Sequence, residues 1–154
     1  MSRPAPLDIL IDQSRKARDS AGRLLAEERQ TREQTSGQLE TLQRYRREYS
    51  ERLHQAMTQG ISTATLDDYN RFIRSLDNAI ERARAVLAQQ QERVDASSEH
   101  WRQRQSELSS FSTLESRRAQ QEQQREQRRE RLLADEMTQN LLARRPQAGG
   151  QNPF

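Results

Sequence analysis

A seven-residue rhythm runs from Leu66 to Phe111 in alternating steps of three and four. It passes through Leu66, Tyr69, Ile73, Leu76, Ile80, Ala83, Leu87, Gln90, Val94, Ser97, Trp101, Arg104, Leu108 and Phe111 without a slip. A stripe at period 3.5 cannot be buried by its own helix, so it must wind against a second helix with left-handed supercoiling. The same register runs backward from Ala56 through Leu53, Tyr49, Arg46, Leu42, Leu39, Thr35, Arg32, Glu28, Leu25, Ala21, Arg18, Ser14 and Ile11 to Leu7. Two long amphipathic segments are thus joined by Gln59-Gly60-Ile61-Ser62-Thr63-Ala64-Thr65, where the pattern breaks. Gly60 can take the left-handed conformation that ends a helix. Thr65 can cap the next helix, with Asp67 and Asp68 complementing its positive end.

So short a connection favours antiparallel neighbours. The expected fold is all-α: a long antiparallel two-helix coiled coil, or helical hairpin, over residues 1–145. Helix 1 is expected over about 5–58, the turn over 59–65 and helix 2 over 66–145. Its core would hold Leu25, Leu39, Leu53, Ile73, Ile80, Leu87, Val94, Trp101 and Leu108. An intermolecular coil would use the same seam, so the oligomeric state stays open.

All four prolines fall outside the proposed helices, Pro4 and Pro6 before Leu7 and Pro146 and Pro153 after Arg145. Nothing between them except the turn forbids helix. Hydrophobic residues are 31% of the chain and charged residues 32%, too lean for a layered core and suited to a narrow seam. The second helix would outrun the first, leaving an overhang from about Ala119 to Arg145. Gln121 to Arg131 has no apolar face, and a small stripe of Leu132, Leu133, Met137, Leu141 and Leu142 follows. Residues 146–154, with Gly149 and Gly150, are expected to form a disordered tail.

Chemistry finds little footing in such a rod, because catalysis needs groups converging in a concave, partly dry site. His54 and His100 are far apart, and Glu27-Glu28 and Asp67-Asp68 fit surface and helix-start charges. With no cysteine there are no disulfides or thiolate metal sites, and no catalytic, cofactor or metal residues are expected. No apolar run reaches spanning length, and Met1-Ser2-Arg3-Pro4 does not start a signal peptide, so a soluble cytoplasmic protein is expected. The net charge is +3, and Lys16 is the only lysine. Arg117-Arg118, Arg128-Arg129 and Arg144-Arg145 could line a phosphate stripe, but Glu122, Glu126 and Glu130 interleave with them and no aromatics accompany them. A solvated, charge-laced helix is the stronger reading, and nucleic acid is not an expected partner.

Beside the seam, Gln38, Leu42, Tyr45 and Tyr49 form a stripe on helix 1, and Phe72, Leu76, Ala79 and Ala83 form another on helix 2. In an antiparallel hairpin the two stripes face each other near the turn. Periodicity alone fits either a locally wider seam or an aromatic recognition patch.

These residues also carry a resemblance. Tyr45-Arg46-Arg47-Glu48-Tyr49, Met57, Gly60-Ile61-Ser62, the string from Tyr69 to Ile80, Val94-Asp95 and Trp101-Arg102 resemble the FliJ family of the bacterial flagellar type III export apparatus. The resemblance covers most of residues 5–118 and is strongest from Gln38 to Ile80. It implies an antiparallel coiled coil similar to the central stalk of rotary ATPases. Family members insert into the pore of the hexameric export ATPase, promote its ring assembly, engage the cytoplasmic linker of the membrane export gate and help export chaperones be reused. By the resemblance, the gate-binding face would be Gln38, Leu42, Tyr45, Tyr49, Phe72, Leu76 and Ala79. Ala83 stands where the enterobacterial form has histidine. The implied protein is a non-enzymatic component, cytoplasmic and peripheral at the inner membrane beneath the flagellum. The equivalent stalk of a virulence-type secretion system and a basic nucleic-acid-binding coiled coil are the alternatives.

Overall fold

The computed structural model describes residues 5–144, which form two helices and a three-residue turn. Helix α1 spans Pro6–Gln59 and helix α2 spans Thr63–Ala143. They pack against each other as an antiparallel hairpin, and every position of the two seams named above is buried or half-buried. Among the described residues no side chain is sealed off completely. A seam between only two helices always keeps an edge in water, so each buried leucine or isoleucine contributes at or below the usual ~1.5–3 kcal/mol of a core side chain.

Two details of the helix starts differ from the expectation. Pro6 is the first residue of α1 instead of lying before it, because a residue there has no intrahelical use for the N–H that proline lacks. Ala5 precedes it in extended conformation without a side-chain cap, and its carbonyl accepts from the Asp8 N–H at 2.9 Å. At the turn, Ser62 and not Thr65 caps α2: the Ser62 Oγ accepts from the Thr65 N–H at 3.2 Å and meets the Thr65 hydroxyl at 2.9 Å. Helix α2 therefore starts at Thr63, and Asp67 and Asp68 fall beyond its first turn, where they complement the helix dipole less.

Gly60 sits at φ 84°, and its N–H donates to the Met57 carbonyl at 3.3 Å. Only glycine adopts this conformation without a Cβ penalty. Gly60→Ala is expected to cost about 1 kcal/mol of stability. Gly37, with open space around its Cα, is the contrasting position. Gly37→Ala should gain about 0.4–1 kcal/mol, and opposite shifts of the two urea midpoints would check the pair.

Gly22 has a different role. A Cβ there would lie 3.3 Å from the Trp101 Nε1 and 3.4 Å from its Cδ1, so glycine clears a notch for the indole of the opposite helix. Trp101 is the only tryptophan. Gly22→Leu is expected to push the indole outward, cost about 1–3 kcal/mol and red-shift the intrinsic fluorescence.

Beyond Phe111 no residue of α2 through Arg144 is even half-buried. The cause lies in the seam itself. Continuing its steps of three and four gives Glu115, Arg118, Glu122, Arg125 and Arg129, so charge replaces apolar side chains where α1 runs out. That segment offers no second helix an apolar stripe, and α2 projects as a single helix. Arg145 and the expected tail 146–154 lie outside the described residues.

Candidate partner-binding surface

The expected patch begins on α1 with Tyr45 and Tyr49, one turn apart on the same side. Tyr49 occupies the seam, whereas Tyr45 is rotated off it and is 45% exposed. From α2, Phe72 stands beside the seam residue Ile73 and is 42% exposed. The hairpin brings Tyr49 and Phe72 together, with ring centroids 4.3 Å apart and planes inclined at 41°. A tilted pair at that distance is attractive beyond its area burial, by about 0.5–1.5 kcal/mol. Guanidiniums flank the aromatics: Arg52 lies over the Tyr49 ring at 5.2 Å and Arg44 over the Tyr45 ring at 5.8 Å.

The other residues of the face are not equivalent. Leu76 is 7% exposed, so it supports the patch from the seam and offers a partner almost no surface. Leu42 and Ala79 are half-buried, and Gln38 is exposed beside the shallow groove it lines with Gln34, Gly37, Thr41 and Leu42. The accessible part of the face is therefore Gln38, Tyr45, Phe72 and the outer edge of Tyr49.

A rung next to the patch was not expected from the seam pattern. Arg46 Nε donates to Asp77 Oδ1 at 2.9 Å across the two helices. This hydrogen bond, and then the Asp77 charge, hold the Arg46 guanidinium still more firmly in its charged form, against a small opposing effect of burial. Folding raises the affinity of Arg46 for its proton, so this contribution is complete below the ordinary arginine range and is lost only above it. Salt is thus a better probe of the rung than alkaline pH. Raising ionic strength should lower the stability by less than about 1 kcal/mol, as for exposed pairs.

A second exposed surface lies at the far end. Leu132, Leu133, Met137, Leu141 and Leu142 are between 53% and 67% exposed on the projecting part of α2. Where the projection leaves the hairpin, Leu7 and Asp8 share an open groove with Glu115, Arg118, Glu122 and Arg125. The two histidines are both exposed and lie on different helices. Among the described residues no group of three His, Asp or Glu could hold a metal ion, and no helix is long and apolar enough to cross a membrane.

This geometry defines a class of protein: an elongated helical hairpin whose aromatic and charged side chains are displayed on its outer faces. The sequence model of the family described as Flagellar FliJ protein matches residues 2–147, and the chain belongs to that family. It is 33% identical over 147 residues to the Flagellar FliJ protein of Salmonella typhi, covering 96% of this chain and all of that one. It is 31% identical over 147 residues to the Flagellar FliJ protein of Escherichia coli (strain K12), with the same coverage. Among solved structures it is similar to CT670 from Chlamydia trachomatis, described as a candidate YscO homologue. The TM-score is 0.64 at 19% identity, over 93% of this chain and 96% of that one, a likeness of fold.

Proposed function

We propose that this protein is the central stalk of a flagellar type III export apparatus, a component that acts by binding and carries out no chemistry. In this reading the termini-bearing end, with the overhang, enters the hexameric export ATPase and promotes its ring assembly. The aromatic patch near the turn engages the cytoplasmic linker of the export gate. The protein works at the cytoplasmic face of the inner membrane at the flagellar base, and its exposed faces also serve export chaperones being reused.

The observation that carries the reading is the separation of two exposed surfaces on one rod. Tyr45 and Phe72 lie within about 25 Å of the turn at 1.5 Å per residue, whereas the overhang leaves the opposite end of a 54-residue helix that is about 80 Å long. Two partners can therefore be held at once without competing for area. Family membership supplies the biological setting.

The test is hydrolysis by the purified cognate ATPase with and without this protein, at matched ionic strength, beside a variant lacking residues 7–25. Stimulation by the full chain and none by the folded variant is the expected result. A folded full-length protein that leaves the ATPase rate unchanged would remove the stalk role.

A further inference from the structure

A seam that repeats every seven residues does not by itself define one alignment. If α1 slides past α2 by one heptad, apolar positions again meet apolar positions. We propose that Arg18, Arg32 and Arg46 form a register lock that selects the observed alignment and thereby sets how far α2 projects.

The three arginines occupy one heptad position at intervals of fourteen residues, alternating with Ile11, Leu25, Leu39 and Leu53. Each donates across the hairpin. Arg18 Nη1 reaches Gln105 Oε1 at 3.4 Å, Arg32 Nη1 reaches Gln91 Oε1 at 3.1 Å, and Arg46 Nε reaches Asp77 Oδ1 at 2.9 Å. The acceptors are also fourteen residues apart, so the residue numbers of every rung share one sum and obey a single antiparallel register. Rungs of this kind recur about every 21 Å along the rod.

The sequence also penalises both nearest alternatives. Sliding by one heptad in one direction sets Arg46 against Arg84 and leaves Arg18 and Arg32 facing Ser112 and Ser98. The opposite slide sets Arg32 against Arg84 and leaves Arg18 and Arg46 facing Ser98 and Asn70. A like-charge pair thus replaces a hydrogen bond either way. Slides of two heptads recover two rungs, but they require unwinding many more residues than the three now spent on the turn.

The rungs are too exposed to add much stability, with the Arg46 and Asp77 side chains 40% and 48% accessible. Their effect lies in the difference between alignments, the usual role of polar residues in a coiled-coil seam. Gln90 fits the same logic. It is buried next to the middle rung with its Oε1 unpaired, a destabilising choice where leucine would pack better. One heptad of slip would change the projection of α2 by about 10 Å and separate Tyr49 from Phe72.

The chain has no cysteine, so introduced thiols report the register directly. Ser36→Cys with Ala88→Cys marks the observed alignment, since both residues line one groove. Ser36→Cys with Glu81→Cys or with Asp95→Cys marks the two one-heptad slips. With a short thiol-reactive crosslinker at low protein concentration, the native background should link only the first pair. In the Arg18→Leu, Arg32→Leu, Arg46→Leu background, which extends the apolar seam and keeps helicity, the slipped pairs should rise at least tenfold. A helical triple variant that still links only the first pair overturns the lock. If that variant associates between chains, Asp77→Arg alone should raise the Ser36→Cys/Glu81→Cys product, and Arg46→Asp combined with Asp77→Arg should return that product to the native level, since in this slip position 46 faces Asn70 and position 77 faces Leu39. Failure of the swap to restore the native pattern likewise overturns it.

Discussion

A protein carrying Tyr45→Ala and Phe72→Ala is expected to lose at least thirtyfold in affinity for the export-gate linker while its helical content stays unchanged. The magnitude follows from the kind of surface removed. Exposed aromatics flanked by arginine are the residues that dominate binding when a partner covers them, and truncating such an anchor costs about 2–4 kcal/mol. Tyr45 is off the seam and 45% exposed, so its removal leaves the hairpin core intact. Phe72 is coupled to Tyr49 at 4.3 Å, so its removal should lower the melting temperature slightly and in proportion to one lost aromatic contact. Calorimetric titration against the isolated linker, with circular dichroism on the same samples, reads both effects. Affinity within threefold of the parent would assign the face to seam widening. Leu76→Ala provides the contrast: at 7% exposure it should destabilise the hairpin by about 2–3 kcal/mol and affect binding only through folding.

Deletion of residues 126–154 should abolish stimulation of the export ATPase and leave the hairpin as stable as before. The described part of that segment, through Arg144, contains no residue even half-buried. Its loss belongs with surface changes, which usually stay within about 0.5 kcal/mol. The cut falls beyond Arg125, so the groove that Leu7 and Asp8 share with Glu115, Arg118 and Glu122 is preserved. Full stimulation by the shortened protein would place the ATPase contact on the paired helices instead. A split effect, with lower affinity but the same maximal rate, would make the projection a tether and not an activator. The reading of the overhang as an active element does not survive either result.

Periodicity made the hairpin legible because a two-helix rod can bury a stripe only against its other helix, and every stripe position named from Leu7 to Ala56 and from Leu66 to Phe111 took its place in the seam. The details that escaped are those where residues with equal local claims compete. Ser62 and Thr65 are both good caps three residues apart, and the choice between them rests on backbone geometry at the turn. Gly22 lies off the stripe and reads as a weak helix residue until Trp101 is found against it. Arg18, Arg32 and Arg46 read as interruptions of a leucine stripe, because their acceptors Gln91, Gln105 and Asp77 stand outside the seam on the other helix. The candidate face was legible as a stripe, but its division into a buried Leu76 and accessible Tyr45 and Phe72 depends on how the second helix covers the first.

The seven-residue spacing of the seam also sets an angle between the two ends of the rod. Left-handed two-stranded coils complete a revolution in about 150 Å. The α1 segment from Tyr49 back to Pro6 covers roughly 65 Å, which at that pitch corresponds to about 150° of seam rotation between the aromatic patch and the root of the overhang. In the proposed role, a partner docked on the patch and one contacting the seam side of the overhang root would therefore approach from nearly opposite sides. If the rod turned about its axis inside one of them, the patch would sweep around the circumference presented to the other.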